Sequence, residues 1–420
     1  MILFALLEVK WFYLPSDTSS ILVKYNYDGK NMAIVVVAIV ITVFQILLFN
    51  NKKIKFMFKT HVFIIWALWL VSYSYAVFYY NQDELYTFNQ FIYFGIYILY
   101  FSLQWYFEST GNYEAFCTLF SFCTALFSIL ICFQAFLWQN GGDYYLTILE
   151  YLERDVITRN QMIRIMAPSA LISFCSVISF SKLFQFKKRK KAAVIIDIIN
   201  VASGTVYIFY ACGTRALMLI QILIYGIVFI CMRKRNNLLR TILLFAAAAV
   251  LLYYTFTNNV FQYLNYETTE HSYQYRLGAF GYFLEQGLLN PFCGLGFLTD
   301  HAPQYADLLH GPQGVYYISD VGICGFAGQM GIIAAIVYLF IVIRIWKICI
   351  GIKKAKGYFN TVVLGIACFT TFTLVTISLQ TNYTIITMVL SMVYAEYEYR
   401  TFERNCSLSN ELRKEGIRAL

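Results

Sequence analysis

The stretch FYACGTRALMLIQ, residues 209–221, joins two long apolar runs and contains one charged residue, Arg215. The run before it begins at Ala192, and the run after it continues to Met232. A segment of about 20 apolar residues matches the hydrocarbon thickness of a bilayer. Because such segments recur along the whole sequence, they predict a polytopic membrane protein, and Arg215 then lies in a tight turn between two spans.

The overall composition supports the same class. Of the 420 residues, 60% are hydrophobic and only 13% are charged, whereas soluble domains carry about 25% charged residues. A water-soluble core cannot bury that much apolar surface. We therefore predict a single all-α integral membrane domain over residues 1–420, with about 11 or 12 transmembrane helices. The predicted spans are 32–49, 60–80, 88–107, 115–137, 162–184, 192–210, 216–232, 241–258, 321–345, 358–378 and 381–397. Residues 2–14 are either a twelfth span or an interfacial segment.

Basic clusters predict the orientation of these spans. They are Lys52, Lys53, Lys55 and Lys59; KKRKK at 187–191; Arg233, Lys234, Arg235 and Arg240; and Lys347, Lys353, Lys354 and Lys356. Each cluster follows a span of the same parity, so the positive-inside rule places all four in the cytoplasm, together with a tail at 396–420. This placement accounts for the net charge of +9 without a nucleic-acid partner. The opposite face receives a loop at 138–161 and a large external loop at 259–320.

Two arginines, Arg215 and Arg276, are predicted on the external face, where the charge rule does not explain them. A guanidinium stays ionised and offers a fork of donors that matches phosphate, so two of them suit a pyrophosphate. The alternatives are a snorkelling interfacial role for Arg215 and simple pairing of Arg276 with Glu267, Glu270 or Glu285.

The segment LNPFCGLGFLTDHAPQYADLLHGPQGVYYISDVGICGFAGQMG, residues 289–331, contains His301 and His310. It is not a P-loop, because no Gly-Lys-Ser/Thr follows its glycines. Asp320 precedes a predicted helix, where a carboxylate is favoured by helix electrostatics alone. The sequence shows no metal-ligand cluster, and no cofactor is predicted.

Taken together, the Thr214–Arg215 turn, the Arg276 helix, NPFCGLGF, the following histidine and DVGICGFAGQMG resemble the O-antigen ligase/polymerase superfamily, especially its Wzy-type polysaccharide polymerases. The resemblance covers residues 200–345. It implies a GT-C-like membrane fold whose external loop covers a lipid-facing cavity. It also implies metal-independent, inverting glycosyl transfer on undecaprenyl-pyrophosphate-linked oligosaccharides at a bacterial plasma membrane, for capsule, O-antigen or exopolysaccharide.

In that resemblance Arg215 and Arg276 match the family's arginines, and they would stabilise the departing pyrophosphate. His310 best matches its loop histidine and would serve as the general base. Because HGPQGVYY departs from the family's pattern, His301 stays open as the alternative, with Glu267, Glu270 or Asp320 as carboxylate substitutes. Expected partners are the lipid-linked substrate, membrane lipids, a flippase and a chain-length regulator.

Three other functions stay open at this point. One is a receptor or purely structural membrane protein, for which removal of the outer arginines would have no cost. A ligase that transfers finished glycan to another acceptor would share these motifs. A transporter, such as the flippase of the same lipid, predicts charged or Gly/Pro-broken spans near the middle of the membrane. The sequence pattern offers almost no such spans, so it favours the polymerase.

Overall fold

A computed structural model describes residues 27–48, 55–141, 156–159, 162–165, 168–185, 189–231, 266–299, 302–312 and 314–414. Within these ranges the chain is nearly all helical, as predicted. Four of the described helices are long and apolar enough to cross a membrane, and four further apolar helices are shorter. The predicted span 241–258 and residues 2–14 lie outside the described residues.

The first half of the chain forms eight helices and one hairpin among the described residues. The helices are α1 (Tyr27–Leu48), α2 (Lys59–Tyr80), α3 (Glu84–Phe91), α4 (Leu99–Thr110), α5 (Tyr113–Gln139), α6 (Ser169–Leu183), α7 (Lys191–Val206) and α8 (Arg215–Ile230). A 3-10 stretch, Ile92–Ile98, joins α3 to α4, and a π-helical turn, Tyr207–Cys212, extends α7. Strands β1 (Val156–Arg159) and β2 (Met162–Ile165) pair antiparallel, with Val156 opposite Ile165.

The second half adds six helices in the described ranges. They are α9 (Tyr266–Leu289), α10 (Ala306–His310), α11 (Gly322–Met330), α12 (Ile332–Lys356), α13 (Thr361–Phe372) and α14 (Asn382–Lys414). Short 3-10 turns, Pro303–Tyr305 and Ile318–Asp320, precede α10 and α11.

Helices α6 and α13 form the centre of the bundle. They pack on each other, and both contact α8 and α14. Every residue of α13 from Thr361 to Thr370 is buried, and a helix that is buried on all sides belongs in the core of a bundle. Small residues permit this close packing, because a side chain at Gly365 would meet the Ser181 hydroxyl.

Hydroxyl side chains are accommodated inside the helices by local hydrogen bonds. Thr124 donates to the Phe120 carbonyl at 2.6 Å, and Ser391 donates to the Thr387 carbonyl at 2.7 Å. Such bonds to the carbonyl one turn earlier satisfy a polar group where water is absent. The outward faces carry large exposed apolar side chains, including Phe44, Leu70, Phe133, Leu219 and Phe340. This arrangement, apolar side chains outside and hydroxyls bonded within their own helices, is consistent with an all-α membrane protein.

The bundle has two distinct ends. At one, which we call the basic end, lie Lys59 at the start of α2, Lys191 at the start of α7, and Lys353, Lys354 and Lys356 in the last turn of α12. Side-chain contacts join these helix ends, since the Glu396 carboxylate of α14 accepts a hydrogen bond from the Met57 amide, just before α2, at 3.1 Å. The opposite end, the motif end, carries the described residues of the segment 289–331. The described members of the predicted basic clusters therefore share one end of the bundle.

Several predicted spans differ from the observed helices. The prediction for 162–184 is wrong at its beginning, because residues 162–165 form β2 and the helix starts only after Pro168. The span 88–107 contains the 3-10 stretch Ile92–Ile98. The span 358–378 ends as a helix at Phe372.

The largest departure is the span 321–345, which is broken at Gly331. This residue has φ +83°, and a side chain there would strike the Pro291 carbonyl. The Pro291 carbonyl accepts a hydrogen bond from the Ile333 amide at 3.1 Å, and the Leu295 amide donates to the Gly328 carbonyl at 2.7 Å. The turn at 291–297 therefore satisfies backbone groups on both sides of the break, which is what permits α11 and α12 to be separate helices.

Candidate functional site

The turn at 291–299 is anchored to the end of α2 by one side chain, Gln82. Its amide donates to the Phe297 carbonyl at 2.8 Å, while its carbonyl oxygen accepts from the Thr299 amide at 2.9 Å and hydroxyl at 2.7 Å. Phe297 stacks on Phe91 with ring centres 4.0 Å apart. The turn is therefore a fixed part of the motif end.

Helix α9 brings Arg276 next to Asp320. The guanidinium Nε lies 3.8 Å from the carboxylate, and the two side chains are 56% and 44% exposed. Asp320 ends the 3-10 turn before α11, and α9 packs along α11. The prediction that helix electrostatics alone account for Asp320 is therefore incomplete, because Arg276 is a direct partner. An exposed, loose ion pair of this kind contributes about 0–1 kcal/mol, so an anionic ligand can compete for Arg276.

Tyr316 connects this ion pair to His310. The Tyr316 ring packs over Gly278, two residues after Arg276, where any side chain would collide with it. The His310 Nδ1 lies 3.4 Å from the Tyr316 carbonyl, and the His310 ring packs edge-on against Tyr317 at 5.6 Å. Arg276, Asp320 and His310 therefore belong to one partly exposed group, which we call the α9 cluster, defined by these three residues and Tyr316.

Tyr282 fixes α10, and with it His310, on α9. Its hydroxyl donates to the Leu308 carbonyl at 2.7 Å. Burial, and then the charges of Glu285 and Asp307, raise the pKa of Tyr282 to about 12, so the donor stays protonated at neutral pH. Burial also raises the pKa of the nearby Cys293 thiol, which argues against Cys293 as a nucleophile because the thiolate is the reactive form.

Arg215 lies in a second group, at the start of α8. Gly213 there has φ +61°, a conformation that glycine adopts without strain. Arg164 of β2 reaches this turn, donating from Nε to the Cys212 carbonyl at 2.9 Å and from Nη2 to the Thr214 hydroxyl at 3.2 Å. The hairpin is held in place by the Tyr207 hydroxyl, which donates to the Ile165 carbonyl at 3.0 Å. Arg164 and Arg215 thus flank one turn.

The two predicted phosphate-binding arginines have different neighbourhoods. Helix α8, which begins at Arg215, packs on α6 and α13, whereas α9, which carries Arg276, packs on α11. The remaining candidates add little to either group. Residues 267 and 270 lie on the first turns of α9, roughly 14 and 9 Å along its axis from Arg276. The side chains of Glu267 and Glu270 lie outside the described residues, and so does His301.

Two features of the site were not predicted. Arg164 was predicted to lie in a membrane span. An ionisable residue at the beginning of an apolar run is, however, as much a functional candidate as Arg215. An open cavity of about 750 Å³ lies between α2 and α3 and is lined by Asn81, Gln82, Asp83 and Glu84 together with apolar neighbours. The polar run NQDE, residues 81–84, between two apolar segments was its visible signal.

Asn81, beside this cavity, ends α2. It is the only non-glycine residue with positive φ, at 52°, in the part of the chain that the structure describes. Asparagine adopts this left-handed conformation readily after the last turn of a helix. Because Gln82 anchors the motif turn beside this cavity, the cavity belongs to the same end of the molecule as the α9 cluster.

The fold and the site together define an all-α membrane protein with arginine-bearing groups at one end of its bundle. No known protein-family profile matches the chain, and no curated protein sequence matches it. The chemistry of the α9 cluster and of the group at the start of α8 is therefore the basis for a functional proposal.

Proposed function

We propose that the protein polymerises lipid-linked oligosaccharide repeat units. It would transfer the growing glycan from undecaprenyl pyrophosphate to an incoming lipid-linked repeat unit, on the side of the membrane that faces the motif end. The observation that carries the proposal is the α9 cluster, in which Tyr316 packs on Gly278 near the Arg276–Asp320 pair and its carbonyl lies 3.4 Å from His310 Nδ1. Residues of these types supply anion binding and proton transfer, the two needs of the reaction.

The proposed reaction is a balanced displacement. The acceptor hydroxyl oxygen forms a bond to the anomeric carbon of the donor sugar, and the bond from that carbon to the pyrophosphate oxygen breaks with inversion. The acceptor proton passes to a base. A proton on His310 Nδ1, directed at the Tyr316 carbonyl, would leave Nε2 as the acceptor for it.

Arginines would stabilise the departing pyrophosphate. Arg276 is only loosely paired with Asp320, so a phosphate oxygen can replace the carboxylate. Arg215 and Arg164 flank the turn before α8, and the first free amides of a helix add to anion binding there. We assign Arg215 to the diphosphate, with Arg164 as its neighbour, and Arg276 to a phosphate of either substrate.

The test is a pair of alanine variants with a matched control. Arg215→Ala and Arg276→Ala should each abolish long-chain glycan, and Arg→Lys should restore little of it, because the bidentate fork is lost. Arg404→Ala is the control, since Arg404 is an exposed arginine at the basic end that pairs with Glu108. Chain length is read on gels, with protein level checked by immunoblot; normal chain lengths in both variants would contradict the proposal.

The lipid-linked products separate the polymerase from a ligase. If the protein is a polymerase, the inactive variants accumulate single repeat units on the lipid carrier. A ligase variant would instead accumulate long chains that remain on the carrier.

A transporter is the second candidate, and two observations favour it. The span 321–345 is broken at Gly331, the kind of interruption expected of transporters. Buried polar bonds also link α6 to α7 and α8: Ser179 donates to Asp197 at 2.9 Å, Asn200 donates to Ser179 at 2.9 Å, and Gln221 donates to Ser176 at 3.3 Å. Asp197 is further paired with the buried Arg189.

Detergent solution discriminates between the two candidates. A polymerase elongates lipid-linked repeat units in micelles, where there are no two sides to move a lipid between. A flippase would be inactive there and would move a labelled lipid only in sealed vesicles.

A further inference from the structure

A groove at the basic end lies far from both arginine groups described above. It is a cavity of about 430 Å³ between α2, α12 and α14. Its walls include His61 from α2, Arg344, Lys347 and Gly351 from α12, and Tyr399 from α14. Its volume is within the range of small-molecule sites, roughly 300–1,000 Å³.

The groove is cationic. Arg344 and Lys347 are three residues apart on one helix, so their side chains leave the same face. Among the residues that the structure describes, neither has an acidic partner within ion-pair distance. The Arg344 guanidinium lies 5.6 Å from the Phe58 ring centre. The nearby carboxylate of Glu396 is already engaged by the Tyr100 hydroxyl, the Met57 amide and Arg400.

His61 lines the groove, but its Nδ1 atom is buried and therefore does not open into it. The groove thus offers an anion the cations of Arg344 and Lys347.

The other wall of the groove is apolar and is exposed on the side of the bundle. Phe340 and Ile343 are 54% and 45% exposed, and they lie about one turn before Arg344 and Lys347 on α12. In a membrane these side chains meet acyl chains, while the cations lie nearer the basic end. An occupant with an anionic head and an apolar tail complements both walls, and free phosphate complements only one.

We propose that this groove binds one anionic phospholipid, with its phosphate on Arg344 and Lys347 and an acyl chain along Phe340 and Ile343. Basic pockets between membrane helices at the positively charged side are suited to such headgroups. The inference rests on the membrane class of the protein and does not depend on glycosyl transfer.

The experiment is lipid binding to the purified full-length protein, measured by native mass spectrometry. Phosphatidylglycerol is the probe, phosphatidylcholine the zwitterionic comparison, and inorganic phosphate the competitor. Wild type should retain one phosphatidylglycerol much more tightly than phosphatidylcholine. Arg344→Gln and Lys347→Gln should each weaken that binding about fivefold or more, since one cation near the surface contributes about that factor. Lys354→Gln is the matched control, because Lys354 is on the same helix, is exposed and does not line the groove.

Gly351 provides a second, steric test. No atom lies within 4 Å of a side-chain carbon placed there, so Gly351→Ala should fold and bind lipid normally, whereas Gly351→Phe should fill the groove and displace the lipid. Equal affinity for the two lipids would overturn the proposal, as would an equal loss in the Lys354→Gln and Lys347→Gln variants. Displacement of the lipid by millimolar phosphate would also overturn it, because the site would then be one for free anions.

Discussion

At the scale of single residues, Tyr282 shows how an unremarkable tyrosine positions a candidate catalyst. Its hydroxyl bond to the Leu308 carbonyl holds α10 against α9 and so fixes His310 two residues further on. The pKa of Tyr282 is raised to about 12 by burial and by the charges of Glu285 and Asp307. Since the folded-state pKa is higher than the unfolded value near 10, the bond contributes its full stability below about pH 10, and that contribution is lost as the pH rises through about 12.

We predict that an alkaline titration of phenolate absorbance, taken as the difference between wild type and Tyr282→Phe, has its midpoint near pH 12. Glu285→Gln removes one of the charges that raise this pKa and should move the midpoint downward. A wild-type midpoint near 10, the value of an exposed phenol, would contradict the buried environment of Tyr282.

At the scale of elements, the contact between α9 and α11 is made by backbone approaching backbone. A side chain at Gly287 would lie 2.6 Å from the Ala327 carbonyl oxygen, and one at Gly294 would collide with the Gly328 carbonyl. Neither obstacle is a flexible side-chain end that can move aside. The two helices therefore depend on glycine to reach their observed separation, and the α9 cluster depends on that separation.

We predict that Gly287→Ala lowers the stability of the protein by about 1–3 kcal/mol, the usual cost of overpacking. Gly281→Ala on the same helix is the control, because no atom lies within 4 Å of its new side chain. Helix propensity should make that variant neutral, or more stable by up to about 1 kcal/mol. Thermal unfolding in detergent measures both variants, and equal melting temperatures would show that α9 and α11 do not pack as described.

Also at the scale of elements, the sequence predicted the long helices but not the break between α11 and α12. Apolar length predicted α2, α5 and α8 well, because a long run without charge has few alternatives in a membrane. It did not predict the break at Gly331, since the backbone groups freed there are satisfied by Pro291 and Leu295, about 40 residues earlier in the chain. A window of local sequence carries no information on such a partner.

The sequence likewise predicted only part of the candidate site. Arg276 and His310 stood out in the sequence, and the structure pairs Arg276 with Asp320, while His310 contacts Tyr316 and Tyr317. Arg164 did not stand out, because its role depends on a hairpin that folds onto the turn at 212–214. Gln82 is 217 residues from Thr299 in sequence. That Arg215 and Arg276 together hold one pyrophosphate remains a prediction, and their helices pack on different neighbours in the bundle.

At the scale of the whole molecule, the basic end and the motif end lie at opposite ends of the bundle. This separation predicts that they are on opposite sides of the membrane. Leu85 lies at the motif end and is 73% exposed, whereas Cys406 is exposed on the last turns of α14, beyond the basic end. We predict that these two positions are on opposite sides of the membrane, with Cys406 in the cytoplasm.

The measurement is labelling with a membrane-impermeant maleimide in right-side-out and inside-out vesicles. A Leu85→Cys variant that also carries Cys406→Ser should react in right-side-out vesicles, and the native Cys406 should react in inside-out ones. The Cys406→Ser variant alone shows the background from the other cysteines. Reaction of both positions from one side would contradict the topology and, with it, the proposed site of glycan transfer.

The short, serine-rich helix α6 has a consequence for how the protein is inserted into the membrane during synthesis. It has 15 residues, with five serines and Lys182 among them, and it spans about 22 Å, which is less than the roughly 30 Å of bilayer hydrocarbon. Such a segment partitions poorly into lipid when alone. During biosynthesis it should therefore leave the translocon together with α5 and α7, whose Ser121 and Asp197 bond the Ser179 hydroxyl, rather than one helix at a time. In ribosome-bound chains from which α6 but not α7 has emerged, a photocrosslinker in α6 should accordingly react with the translocon, and in chains from which α7 has also emerged it should react with α5 and α7.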